Sequence, residues 1–269
     1  MKRIFKLLTI MMISLLAVAC GDKKDTGKIK GTNIGSVKGY GVGVYLDGGT
    51  LDATSPLLDY VVNGNNGNGI IGLLLKGNTN ISAYTRKVKV GDTVGSNYAI
   101  AMYADGQGTS GTVKNIATAL ETGKNGVGLF AENGSNINYG GTLDISSNSS
   151  DTVFGIGASI DKNSTFTLAS TGKVKIGGLN NIGFYVKECR ILQVSGGTVE
   201  NTKDGIFAYL ENGKLDFKAG AVPNINFLNT FVSGSKGSIE NSTTITVGTA
   251  ELQASHGAKI INNTSGTIN

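Results

Sequence analysis

The sequence predicts an all-β chain wound as a right-handed parallel β-helix, in coils of about 24–29 residues. Three observations lead there. Glycine supplies 41 of the 269 residues, about twice the ordinary share, while proline supplies 2. One phrase keeps returning: "GYGVGVYLDGG" at 39–49, "NYAIAMYADGQ" at 97–107, "NGVGLFAENG" at 125–134 and "DGIFAYLENG" at 204–213. Within the phrase, apolar residues alternate with others, which is the period of a strand. A disordered chain seldom carries the 39% of hydrophobic residues found here, and glycine lacks the three-residue period of collagen.

The first element in chain order is a targeting segment, residues 1–19. "MKRIFK" is positively charged, "LLTIMMISLLAVA" is apolar, and Cys20 follows. The apolar run is shorter than the roughly 20 residues of a membrane span, so it reads as a secretory signal. The ending "LAVAC" resembles a bacterial lipobox, which makes Cys20 the expected lipidation site and the membrane a partner through an acyl anchor. Residues 20–38, polar and rich in glycine and charge, are expected to be a flexible tether. Gly21 after the cysteine resembles lipoproteins forwarded to the outer membrane. Loss of Lys2, Arg3 and Lys6 with the signal lowers the formal charge from +5 to +2, so no nucleic-acid partner is expected.

Residues 39–269 form the third element, the repeat domain. The repeats align on a small residue: Gly43, Gly72, Ala101, Gly128, Gly157, Gly183, then Phe207. We call this position 0. Position −1 is β-branched in all seven repeats: Val42, Ile71, Ile100, Val127, Ile156, Ile182, Ile206. Positions +1 and +3 are also apolar, as in Leu129 and Ala131. A unit this short cannot close a core alone, whereas stacked units can, each lying about 4.8 Å from the next. The −1 column is then expected to line the interior. Pairs such as Asn133-Gly134 and Asn212-Gly213 supply corners. The looser tail 214–269 is expected to add two or three coils. A β-propeller fits less well, because its blades need about 40 residues.

Asn- and Gly-rich phrasing of this kind ("DGIFAYLENG", "INNTSGTIN") resembles the passenger repeats of Gram-negative autotransporter adhesins, the fusobacterial type in particular. The resemblance spans about 39–269 and implies a non-enzymatic, cell-surface adhesin, with a host or bacterial surface protein or glycan as partner. Autotransporters end in a membrane barrel, and "SGTIN" does not look like one; the expectation is a passenger-like lipoprotein or a fragment of a longer autotransporter gene.

Position +2 carries Tyr45, Tyr103, Phe130, Tyr185 and Tyr209 on five of seven repeats, and the rings are expected to point outward as a ligand-binding strip. Position +4 is charged throughout. There Asp105, Glu132 and Asp161 succeed one another and form a candidate site for a hard cation. Carboxylates one coil apart also have the separation of a retaining glycosidase pair, which keeps a carbohydrate-active β-helix enzyme as the alternative reading. No other chemistry is expected, and no cofactor. "GNGIIG" matches a dinucleotide fingerprint but runs on into another strand pattern. His256 is the one histidine and sits in a turn, and Cys189 is expected at an exposed corner.

Overall fold

The computed structural model describes residues 41–47, 60–62, 70–76, 79, 81, 87–90, 99–106, 112–116, 119–122, 125–145, 155–161, 163–177, 181–188, 190–201, 205–220, 224–226, 230–245, 251–263 and 266–268. These residues contain strands and no helix, and the strands pair in parallel. The fold is a parallel β-solenoid. Its first sheet stacks nine strands: Gly41–Asp47, Ile70–Lys76, Ala99–Asp105, Gly126–Glu132, Ile156–Ile160, Ile182–Lys187, Ile206–Glu211, Thr230–Ser235 and Glu251–Ser255. We number the coils 1 to 9 by these strands. The last two lie in the loosely repeating tail, as expected.

In coils 4 to 9 a tight corner leads from the first-sheet strand to the second sheet, whose described strands run from Thr112–Ile116 through Asn136–Tyr139, Thr165–Leu168, Ile191–Val194, Lys214–Phe217 and Ser238–Asn241 to Lys259–Asn262. Asn133, Asn163 and Asn212 take left-handed φ of 56°, 63° and 57° at this corner. Asparagine tolerates that region because its short polar side chain bonds locally. The chain then enters the third sheet, from Tyr60–Val62 to Asn224–Asn226, with a two-stranded sheet (Thr244–Ile245, Thr267–Ile268) in the last coils. Unequal spacing between repeats resides in the return from third to first sheet. Ten residues lie between Ile145 and Ile156, and four between Asn201 and Ile206.

The register reproduces the sequence columns. Ile71 pairs with Ile100, Ile100 with Val127, Ile156 with Ile182, and Ile182 with Ile206. One core fills the lumen, built from positions +1 and +3 of the first sheet and from alternate residues of the other two, such as Leu143, Ile145, Phe166 and Leu192. Alternation in the second and third sheets is regular: Thr165–Leu168 and Lys173–Ile176 bury every second residue. Along the lumen an aromatic chain runs Tyr139–Phe166–Phe184–Phe207, with ring centroids 5.8, 5.1 and 5.3 Å apart.

The −1 column corrects the expectation. Ile71, Ile100, Val127, Ile156 and Ile182 are buried, but in a second cluster separate from the lumen. The cause is position 0, which is left out of the ladder in coils 1–7. Ala101 and Phe207 at this position belong to the lumen cluster, as does +1, so two successive residues face inward and the parity reverses. Crowding at position 0 explains its small residues. A Cβ on Gly128 would stand 2.5 Å from the Gly157 carbonyl oxygen, and one on Gly157 2.5 Å from that of Gly183.

Candidate binding face

Reversal at position 0 puts −1, +2 and +4 on the outer side of the first sheet. The rings do therefore face away from the lumen, as expected, though the β-branched column stands beside them instead of opposite. Tyr103 stacks on Phe130 with centroids 5.3 Å apart and an interplanar angle of 17°; Tyr185 stacks on Tyr209 at 5.8 Å and 4°. Between the two pairs, position +2 is Ser159, in register with Phe130 and Tyr185.

The strip is not the exposed surface the sequence suggests. Phe130 is 1% exposed, Tyr185 2% and Tyr103 5%, while Tyr209 is half-buried. The rings lie beside the β-branched column and form one apolar cluster with it. Tyr45 belongs to a strand whose register is described, pairing with Leu74, but its side chain lies outside the described residues.

Two of the rings are tied to a carboxylate of the next coil. The Tyr103 hydroxyl donates to Glu132 and the Tyr185 hydroxyl to Glu211. Burial, then the neighbouring Glu132 charge and hydrogen bond, hold the Tyr103 phenol far above its usual value of 10.0. Tyr185 is raised in the same way, by burial and then by Glu211. Tyr139 in the lumen is raised by burial.

The acidic column does not assemble as a cation site. Asp105 pairs with Lys76 at 3.2 Å and accepts from Asn133 Nδ2 at 2.8 Å, while Glu132 accepts from Tyr103. Among the described residues no three acidic, histidine or cysteine side chains converge on a metal position. Asp161 is buried beyond the last registered pair of its strand, Ile160–Ala131. Glu132 instead serves the strip, as the acceptor for Tyr103. Sequence alignment already held the signal, since tyrosine at +2 and acid at +4 fall on adjacent coils.

Beyond the strip, the second and third sheets present polar outer faces. On the third, Glu121 pairs with Lys87 and with Lys89 at 2.5 Å, and Lys173 meets Glu200 at 2.9 Å across coils. On the second, Asn138, Thr167 and Gln193 occupy successive coils in one column, with Thr167 Oγ1 donating to Gln193 Oε1 at 3.2 Å. His256 is an exposed left-handed corner residue, with φ of 50°. Gly72 of the "GNGIIG" motif lies in the strand Ile70–Lys76, so no helix follows that motif. Cys20 and Cys189 lie outside the described residues. Compared with protein-family models, curated proteins and solved structures, the chain matches none.

Proposed function

We propose that this chain is a lipid-anchored, non-enzymatic surface solenoid of the outer membrane that serves adhesion, with a protein or glycan of a host or bacterial surface as partner. The observation that carries the reading is the regularly spaced polar column on the second sheet. There Asn138, Thr167 and Gln193 repeat hydrogen-bonding groups every coil, about 4.8 Å apart, above an apolar lumen. A rigid array of donors and acceptors suits an extended ligand that repeats, such as a glycan or a β-strand edge. With the aromatic rings enclosed, contact falls to this face and to the half-buried Tyr209. Asp105 and Glu132, two carboxylates that a β-helix hydrolase would draw on, are committed to Lys76, Asn133 and Tyr103, which favours binding over catalysis.

The test has two arms. Metabolic labelling with a palmitate analogue is expected to mark the wild type and not Cys20→Ser; equal labelling contradicts the anchor. The triple change Asn138→Ala, Thr167→Ala and Gln193→Ala is expected to lower binding to host cells, mucin glycans and partner bacteria while leaving circular dichroism unchanged. Undiminished binding by the folded triple variant removes this face as the adhesive surface.

A further inference from the structure

Three side chains meet at coils 6 and 7 on the outer side of the first sheet. Tyr185 and Tyr209 are register partners, and their rings lie within 4° of parallel with centroids 5.8 Å apart. The Tyr185 hydroxyl donates to Glu211 Oε2. Burial, and then the Glu211 charge, raise the Tyr209 phenol as well, so the same carboxylate acts on both phenols. Tyr185 is 2% exposed, whereas Tyr209 is half-buried and reaches solvent. An enclosed phenol thus has a proton acceptor at its hydroxyl and a partly exposed phenol against its ring. Packing alone does not require two phenols in a stack, since Phe130 fills the same column against Tyr103 at 5.3 Å.

We propose that Tyr185, Tyr209 and Glu211 form a site of reversible one-electron oxidation, open at the protein surface to a peroxide-derived or photogenerated one-electron oxidant. The oxidant is reduced by one electron, which leaves by way of the Tyr209 ring and is drawn from Tyr185. The Tyr185 O–H bond breaks as that electron departs, and its proton goes to Glu211 Oε2. Tyr185 ends as a neutral phenoxyl radical, Glu211 as a carboxylic acid, and Tyr209 as the phenol it was. The acceptor makes the step favourable, because an oxidised phenol is a far stronger acid than a carboxylic acid. Without it the enclosed ring would have to hold a positive charge, which burial opposes. Two features keep the radical from being consumed. Enclosure shields Tyr185 from a second chain, and the parallel rings present faces to each other, not the edge carbons that a dityrosine bond joins. One electron from a reductant, with the proton from Glu211, restores the pair. Tyr103 is the internal contrast. It donates to Glu132 in the same way, but it stacks on Phe130, which is enclosed and carries no hydroxyl, so its stack offers no exposed phenol as an exit for the electron. The inference rests on the outer strip and not on the adhesive reading.

The test is photochemical, on the full-length chain, with photoexcited ruthenium trisbipyridine and persulfate as the oxidant. Phenoxyl radical is followed by transient absorbance and, after freezing, by electron paramagnetic resonance. The wild type is expected to give a slowly decaying phenoxyl signal whose formation slows in heavy water. Tyr185→Phe is expected to lose that signal. Glu211→Gln is expected to lose it too, because an amide does not take up the proton. Tyr209→Phe should form it more slowly, and Tyr103→Phe should retain it. All four changes keep the size of the side chain, and circular dichroism checks the fold. A wild type without a slowly decaying signal overturns the proposal. So does a signal that survives Tyr185→Phe or disappears in Tyr103→Phe, either of which places the radical elsewhere. Survival in Glu211→Gln with the heavy-water effect unchanged means that the carboxylate only packs, and formation at the wild-type rate in Tyr209→Phe removes the exit route; each also overturns it.

Discussion

Raising the pH above 10 is expected to unfold this protein by titrating its buried tyrosines. Tyr103, Tyr139 and Tyr185 are almost wholly enclosed, and burial is the largest cause holding each phenol above its ordinary value of 10.0. For Tyr103 and Tyr185 a carboxylate partner adds to the effect, because the phenol donates to it and a phenolate would repel it. The folded state therefore keeps protons that the unfolded chain releases near pH 10. A folded value raised above the unfolded one gives stability that is fully present below pH 10 and is lost as pH climbs toward the folded values. Each such tyrosine contributes a slope of about 1.4 kcal/mol per pH unit, so three give about 4 kcal/mol per unit. Near pH 12 the loss reaches roughly 8 kcal/mol, comparable with the whole stability of a typical domain. Tyr209 is half-buried and water-screened, so its phenol adds little to this loss. The assay is urea unfolding by circular dichroism at a series of pH values, read alongside phenolate ultraviolet absorbance. Tyr139→Phe should reduce the slope by about a third. All tyrosines titrating reversibly near pH 10 in a chain that stays folded, with no change in urea midpoint, would refute the reasoning.

Two further perturbations probe the kink of the first sheet. Gly157→Val sets a branched side chain against the Gly183 carbonyl oxygen and is expected to cost about 1–3 kcal/mol or more, read as a lowered melting temperature; a wild-type melt would show that position 0 is not crowded. Ile156→Asp buries an unpaired carboxylate in the outer apolar cluster and should cost several kcal/mol, whereas Ile156→Val should cost about 1 kcal/mol. Equal melts for those two variants would place the −1 column in solvent.

Fold class, coil length, register and the two tail coils were legible because each rests on a column that repeats. Val127, Ile156 and Ile182 could be aligned by eye, and the ladder pairs those residues. Facing was not legible. Strict alternation puts −1, +1 and +3 on one side, but the doubled inward residue at position 0 reverses the parity. The clue was the small column itself, since a glycine or alanine kept on six successive coils is what a close backbone approach requires. Exposure of the strip was illegible for a different reason. A column shows which side of a sheet a ring takes, and nothing about what packs against it, such as the −1 residues that share a cluster with Phe130. The aromatic chain through Tyr139, Phe166, Phe184 and Phe207 mixes columns from two sheets, so no single alignment displays it.

The central claim is that each return of the phrase is one coil, stacked in register on the last. Distances between spin labels on one outward column of the second sheet test it most directly. Asn136, Ser238 and Lys259 share such a column, four and five coil steps from Asn136. With native cysteines replaced by serine, labels at Asn136 and Ser238 should lie roughly 19 Å apart, and labels at Asn136 and Lys259 roughly 24 Å, from steps of about 4.8 Å. The two values should differ by one coil spacing although 21 residues separate Ser238 from Lys259. Distances that do not advance by that step, or that exceed 40 Å as a fan of separate blades would give on the order of its diameter, contradict the solenoid.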